Sequence, residues 1–291
     1  MPTTVGFIGI GLMGSRMSGN LLKAGFPVVA YDLLPEALAQ ATANGAKAAA
    51  SAAGVAREAP VIITMLPNAP HVEAALLGPG GVVEGTTPGA TTVIDMSTIA
   101  PSAARRLAEL LAARGVKFLD APVSGGTVGA ANATLTIMVG GEEKTLEACR
   151  PILAALGKKI VHMGGHGMGQ LTKLSNNLIA GINMVALCEG LHLGIRGGLD
   201  PDRLREVILA SSGNSWALEK LGPEVLKGNF KPGFMLNLML KDVGLALEAA
   251  RELDLNTWVG AIAHEVYKAG KEAGFGTDDF SAVYKMYQPR G

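Results

Sequence analysis

The glycines of GFIGIGLMGSRM, residues 6–17, stand at Gly9, Gly11 and Gly14. This G-x-G-x-x-G spacing follows an apolar run, Val5–Ile10, and opens a segment of helical spacing, Met13–Ala24. No other feature constrains the fold as strongly. The first glycine permits a tight turn from strand to helix, the second lets main chain approach a pyrophosphate, and the third lets the helix pack closely on the strand. The spacing also occurs by chance, so its surroundings decide. A second apolar run, Pro27–Tyr31, follows and ends in Asp32. That acid sits close to the ~20-residue interval expected of a carboxylate that binds a ribose. Asp32 could also cap a helix starting near Pro35, but the strand–loop–helix context favours the dinucleotide.

Asp32 bears on the choice of cofactor as well. A carboxylate accepts both hydroxyls of a ribose and repels the 2′-phosphate of NADP, and Leu33 and Leu34 offer no guanidinium to receive one. NAD is therefore expected rather than NADP. Its binding set is Gly9, Gly11, Leu12, Met13, Gly14 and Asp32, with Leu66 and Pro67 after a further apolar run, Val61–Leu66.

The first half of the chain alternates. Further β-type runs occur at Thr91–Asp95, Lys117–Asp120, Thr134–Val139 and Lys159–His162, and helical segments such as Pro35–Asn44 and Pro101–Arg114 lie between the runs. Short apolar strands alternating with helices predict a mostly parallel, doubly wound α/β sheet of the Rossmann type. After about Gly165 the texture changes. Gly169–Ile195, Asp202–Ser211, Leu238–Leu253 and Thr257–Ala273 read as helices, with no convincing strand. The run GGHGMG, residues 164–169, marks the seam. The expected organisation is a dinucleotide-binding domain over residues 1–165 and an all-helical domain over 166–291, joined by a long interdomain helix.

Bulk properties narrow the function. Among 291 residues, Lys plus Arg and Asp plus Glu each total 25, and no basic block occurs, which argues against a nucleic-acid partner. Cys149 and Cys188 lack any paired spacing and read as two free thiols of a reducing compartment. The first strand begins at Val5, so no targeting segment is expected. The most apolar stretch, Leu174–Cys188, carries Ser175, Asn176, Asn177 and Asn183, so no membrane span is expected. A soluble cytoplasmic protein follows, and its Ala-, Leu- and Met-rich helical half is expected to bury surface in a homo-oligomer.

Hydride chemistry on an alcohol needs a group that moves the hydroxyl proton. The five histidines are poor candidates. His162 and His166 are read in a glycine-rich turn without an acidic neighbour, and His71, His192 and His264 are scattered, so no metal site is expected. In GMGQLTKLSNN, Gly169, Lys173 and Asn177 recur every four residues and share one helix face. A lysine, an amide and a gap left by glycine at the seam could form a ligand surface; a solvated lysine beside an asparagine fits these residues equally well. In DAPVSGGTVGA, successive amides of Ser124, Gly125 and Gly126, with the Ser124 hydroxyl, could cradle a small carboxylate, or form a flexible turn. Thr98, in DMST at the end of another strand, could reach the cofactor or cap the helix near Pro101.

At these residues the chain resembles the β-hydroxyacid dehydrogenases, a family that includes 3-hydroxyisobutyrate dehydrogenase. GFIGIGLMG resembles its cofactor signature, DAPVSGGTVGA its substrate signature, GQLTKLSNN its catalytic lysine segment, and KDVGLAL, from Lys241, its second cofactor-contacting segment. The blocks come in the family's order along essentially the whole chain. The resemblance implies that Lys173 is the acid/base, that Asn177 holds the substrate, that Ser124, Gly125 and Gly126 bind its carboxylate, and that Lys241 closes over cofactor and substrate. SSGNSWALEK, residues 211–220, is most similar to NAD-linked members that oxidise 3-hydroxyisobutyrate or serine. Trp216 within it either lines the pocket or belongs to the core. The implied reaction is reversible oxidation of a small 3-hydroxy acid to its semialdehyde, with burial and the cationic nicotinamide expected to lower the lysine's affinity for its proton. An NADPH-dependent reductase of glyoxylate, tartronate or succinic semialdehyde is the alternative on this scaffold, and Asp32 argues against it. A non-catalytic NAD-binding module has no need of Lys173. 6-Phosphogluconate dehydrogenase is much longer and has histidine where this chain has Asn176, and imine reductases generally replace the lysine.

Overall fold

A computed structural model describes residues 2–287. The chain divides into two compact units, residues 1–173 and 174–291. The first opens with β1 (Val5–Ile8), α1 (Gly14–Lys23), β2 (Val28–Tyr31), α2 (Pro35–Ala43), β3 (Lys47–Ala48) and α3 (Ala52–Glu58). It continues through β4 (Val61–Thr64), α4 (Ala69–Leu77), β5 (Thr92–Asp95), α5 (Pro101–Ala112) and β6 (Lys117–Asp120). Then come β7 (Val123–Ser124), α6 (Gly126–Ala131), β8 (Leu135–Gly141), α7 (Glu143–Ala154) and β9 (Gly157–Gly164).

The strands form one sheet in the order β3-β2-β1-β4-β5-β6-β8-β7, with β9 paired to β8. From β3 to β6 all pairings are parallel; β8 runs antiparallel to β6 and β7 and parallel to β9. Neighbouring strand residues face opposite sides of this sheet. Phe7, Ile63, Ile94 and Leu119 join one buried cluster, while Ile8, Ile62, Val93 and Phe118 join another. Both faces are covered, which is why the strands read as unbroken apolar runs rather than as alternating ones.

A long helix, α8 (Met168–Arg196), leads out of the first unit into the second. The second unit then adds α9 (Pro201–Leu209), α10 (Trp216–Lys220), α11 (Gly222–Leu226), α12 (Leu236–Glu252) and α13 (Trp258–Gly270). Its core gathers Met184, Cys188 and Leu191 of α8 around Met239, Val243 and Tyr267, and the Tyr267 hydroxyl donates to the Gly181 carbonyl at 3.0 Å. Length and composition alone would let α8 cross a bilayer. A third of its most apolar window is buried, including the core residues just named.

Boundaries depart from the sequence reading where elements are short. The two-residue strands β3 and β7 and the five-residue helices α10 and α11 give no periodicity to detect. The helix expected to reach Ala273 leaves regular α geometry after Gly270, and Gly274 takes a φ of +91°. Among the described residues of the second unit there is no strand, apart from one isolated bridge between Met235 and Asp279.

Candidate active site

The glycine loop fits the pyrophosphate-cradling role. Gly9 has φ +95°, and a Cβ there would lie 2.4 Å from the Met65 carbonyl oxygen. A Cβ on Gly14 would lie 1.9 Å from the Gly9 carbonyl oxygen, so α1 can start against the turn only because both residues are glycine. At Gly11 a Cβ would meet nothing within 4 Å, which leaves its main chain approachable from outside. Leu12 is exposed beside it, and Met13 is half-buried at the N-cap of α1. A cleft of 710 Å³ runs along this loop, lined among others by Gly11, Leu12, Arg16, Glu36 and Gln40. Arg16, whose guanidinium donates to the Leu12 carbonyl, is a cation beside this cleft that motif reading passed over.

Asp32 is half-buried at the end of β2. Its Oδ2 accepts the Ile10 N–H at 2.6 Å and its Oδ1 the Leu34 N–H at 2.8 Å. The carboxylate thus stitches the glycine loop to the start of α2, and each oxygen keeps acceptor capacity for a ribose hydroxyl. The N-cap position of α2 belongs to Leu34, not Asp32. Leu33 and Leu34 are exposed and apolar.

Further along the same sheet edge, Thr64, Asp95 and Asp120 stand in register at the ends of β4, β5 and β6. Asp95 and Asp120 are fully buried. Asp95 Oδ1 accepts from the Thr64 hydroxyl at 2.8 Å and the Ser97 N–H at 3.1 Å, while its Oδ2 is buried without a partner among the described residues. Burial pushes the Asp95 carboxyl up to about 6 against these hydrogen bonds, with the neighbouring Asp120 charge adding to the rise. Burial also raises Asp120, opposed by the backbone N–H groups of Gly167 and Gln170.

Those two N–H groups begin α8. Gly167 donates to Asp120 Oδ1 at 2.8 Å and Gln170 to Oδ2 at 3.0 Å, so the carboxylate satisfies donors that a helix start leaves open. The close approach depends on Gly169, where a Cβ would lie 2.4 Å from the Met138 carbonyl oxygen and 2.6 Å from that of Asp120. The gap expected at Gly169 is therefore filled by sheet main chain, because α8 is seated directly on β6 and β8, and it offers no room to a ligand. The Gln170 side chain makes two more bonds: its Oε1 accepts the Ile99 N–H at 3.1 Å and its Nε2 donates to the Ser97 carbonyl at 2.8 Å. Between those residues lies Thr98. The Ser97 hydroxyl in turn accepts the Leu66 N–H at 2.9 Å, just before Pro67.

Ser124 pairs with Thr136 as the last residue of β7, and Gly125 and Gly126 follow with φ of +130° and +59°. Two successive left-handed residues turn the chain sharply into α6, which is compatible with a concave run of amides. Lys173 is 7 % exposed on the second turn of α8. One turn on, Asn177 is 5 % exposed; its Nδ2 donates to Asp242 Oδ2 at 2.6 Å and its Oδ1 accepts from Asn176 at 3.0 Å. Asp242, almost wholly buried, also pairs with Lys241 Nζ at 3.3 Å. It went unnoticed beside Lys241, although its place on the Met239–Val243–Ala246 face of α12 marks it as an acid on a buried stripe. Trp216, the first residue of α10, is 61 % exposed and so is not part of the core. His162 lies on β9 rather than in a turn, its Nε2 2.8 Å from the Gly141 carbonyl oxygen. Among the described residues no three of His, Cys, Asp and Glu cluster as a metal ion needs.

Comparison with known proteins agrees with this arrangement. The family model of the NAD binding domain of 6-phosphogluconate dehydrogenase matches residues 4–165, and that of the NAD-binding of NADP-dependent 3-hydroxyisobutyrate dehydrogenase matches residues 167–287. The 2-(hydroxymethyl)glutarate dehydrogenase of Eubacterium barkeri is 43 % identical over 285 residues, covering 98 % of this chain and 94 % of that protein. The NAD-dependent L-serine dehydrogenase of Pseudomonas aeruginosa is 42 % identical over 292 residues, covering 98 % of each. The solved structure of Mycobacterium tuberculosis 3-hydroxyisobutyrate dehydrogenase with L-serine matches with a TM-score of 0.93 at 38 % identity, over 99 % of this chain and 100 % of that one. Fold and glycine loop thus define an NAD-binding oxidoreductase in which a Rossmann domain precedes an all-α domain. The chain belongs to the 3-hydroxyisobutyrate dehydrogenase family, the β-hydroxyacid dehydrogenases, which are NAD(P)-dependent oxidoreductases of small hydroxy acids.

Proposed function

We propose that this enzyme reversibly oxidises a small 3-hydroxy carboxylate, of the 3-hydroxyisobutyrate or serine type, to its semialdehyde, with Lys173 as general acid/base and NAD preferred over NADP. The observation that carries the reading is the setting of Lys173: a buried lysine one turn before a buried asparagine, on a helix whose first turn is tied to the cofactor-binding edge of the sheet. A solvated lysine would not be placed there. The relatives that act on L-serine and on 2-(hydroxymethyl)glutarate support a substrate with a primary alcohol near a carboxylate.

NAD, when bound, supplies the hydride acceptor. The protein's own part is positioning and proton transfer. Ser124, Gly125 and Gly126 take the substrate carboxylate through main-chain N–H groups and the Ser124 hydroxyl, and Asn177 offers its amide one turn from the lysine. Fixing the substrate in this way lowers the barrier by up to roughly 7–11 kcal/mol in the best-oriented cases. Lys173 Nζ, in its neutral form, takes the hydroxyl proton as the C–H bond breaks, and returns it in the reductive direction. The preference for NAD rests on Asp32, whose oxygens face a ribose better than a phosphate, with no cation at Leu33 or Leu34.

Homo-oligomerisation is part of the same proposal: α13 exposes Trp258, Val259 and Ile262, and α8 exposes Ile179 and Leu193. Light scattering on the purified protein reads this directly. The activity is tested by assaying serine, 3-hydroxyisobutyrate and 2-(hydroxymethyl)glutarate, with their amides and plain primary alcohols, against NAD and NADP separately. Turnover of at least one acid with NAD, and little or none of its amide, is expected. Equal turnover of propanol removes the carboxylate site from the account.

A further inference from the structure

Gln170 is a fully buried amide on the first turn of α8. Motif reading leaves it unassigned. All of its polar side-chain bonds go to one short stretch of another segment: Ile99 N–H to Oε1 at 3.1 Å, and Nε2 to the Ser97 carbonyl at 2.8 Å. The side chain therefore grips the main chain immediately before and after Thr98, as a neighbouring strand would. Ser97 passes the tie on through its hydroxyl to the Leu66 N–H at 2.9 Å. The Gln170 backbone N–H meanwhile donates to Asp120 Oδ2 at 3.0 Å. Gln170 thus joins the end of β6 and the segment that follows β5 to the helix that carries Lys173 three positions later, and Ser97 extends the tie to the segment after β4.

We propose that Gln170 is a positioning residue that couples the Thr98 segment, and with it the bound cofactor, to the turn of α8 that carries Lys173. The inference rests on the reading of Thr98 as a cofactor contact and Lys173 as the proton-transfer group. The physical reason is geometric. A primary amide presents a donor and an acceptor side by side at every working pH, and so matches a carbonyl and an N–H that flank one residue. Both bonds are buried, so neither partner can exchange to water, and the spacing between segment and helix is fixed at the length of one glutamine. Proton and hydride must leave the same substrate carbon–oxygen unit together, so a shift of about 1 Å between the two supports is costly, on the order of 10²-fold.

The test compares Gln170→Met, which keeps the volume and removes both bonds, with Gln170→Glu, which restores donor and acceptor only when protonated. Folding is followed by circular dichroism and thermal melting, NAD affinity by quenching of intrinsic fluorescence, and kcat and KM for the preferred hydroxy acid in steady state. Folded Gln170→Met is expected to lose roughly 10- to 100-fold in kcat and about 3- to 10-fold in NAD affinity, with KM for the acid changed less. Gln170→Glu is expected to regain kcat relative to wild type as pH falls, a trend Gln170→Met lacks. On a Lys173→Ala background, Gln170→Met should cost little further in kcat yet still weaken NAD binding. A folded Gln170→Met within twofold of wild type in both kcat and NAD affinity overturns the proposal. So does an equal kcat penalty with and without Lys173. Failure of the lysine reading is a separate result, an active Lys173→Ala enzyme. If Gln170→Met does not fold, the pH trend of Gln170→Glu decides, and a flat ratio overturns the coupling.

Discussion

Asp95 and Asp120 sit opposite one another in the register of β5 and β6, two carboxylates buried side by side at the edge of a parallel sheet. Burial holds Asp95 near 6, against 3.8 in an unfolded chain. The folded state therefore binds this proton more tightly than the unfolded state. The proton's contribution is fully present below pH 3.8 and is lost as pH rises through about 6, so ionisation destabilises the fold across that window.

Asp95→Asn keeps the acceptor for Thr64 and Ser97 and removes the charge. Its unfolding free energy, relative to wild type, is expected to rise between pH 4.5 and 7.5 by about 2 kcal/mol, at 1.36 kcal/mol for each pH unit of displacement. Urea titrations across that range check it. A difference that does not change with pH contradicts the assignment.

The bond from Asn177 to Asp242 carries a second expectation. Asp242→Leu leaves the buried Asn177 amide without its acceptor and takes the carboxylate from Lys241, a loss of about 1–3 kcal/mol of stability. If Asn177 contacts the substrate, KM for the hydroxy acid rises severalfold in this variant. Asp242→Asn, which can still accept from Asn177, should recover most of the KM effect.

Cofactor preference gives a third. Asp32→Ala combined with Leu33→Arg removes the carboxylate proposed to bind the ribose and adds a partner for a 2′-phosphate. The ratio of kcat/KM with NAD to that with NADP is expected to fall at least tenfold, about 1.4 kcal/mol. Wild-type enzyme that prefers NADP would contradict the reading of Asp32.

Much of the first unit was legible because its signals are local. Gly9 and Gly14 each answer a steric demand that spacing alone discloses, Gly11 between them stays open on its outer side, and Asp32 follows at the interval one βαβ crossover requires. The parallel order from β3 to β6 follows from the alternation of runs, but the antiparallel return of β8 does not, since β7 is only two residues long. Lys173 and Asn177 were visible as a helical pair. Their supports were not. Asp120, Gln170, Ser97 and Asp242 bond to residues tens of positions away, and each reads in sequence as an ordinary strand-end or helix polar group. The space expected at Gly169 failed for the same reason: what fills it, the main chain of Asp120 and Met138, is distant in sequence.

The central claim is that Lys173 moves the hydroxyl proton, and it is tested most directly by steady-state oxidation of the preferred hydroxy acid by Lys173→Ala and Lys173→Arg across pH. Both variants are expected to fold and bind NAD. Lys173→Ala should lose roughly 10²–10⁴-fold in kcat, and Lys173→Arg nearly as much, because a guanidinium keeps its proton at working pH. Wild-type kcat/KM should rise with pH as the lysine becomes neutral, and this rise should vanish in both variants. Alanine enzyme that turns over within a few-fold of wild type, with the same pH profile, would contradict the account and return the chain to NAD binding without this catalytic lysine.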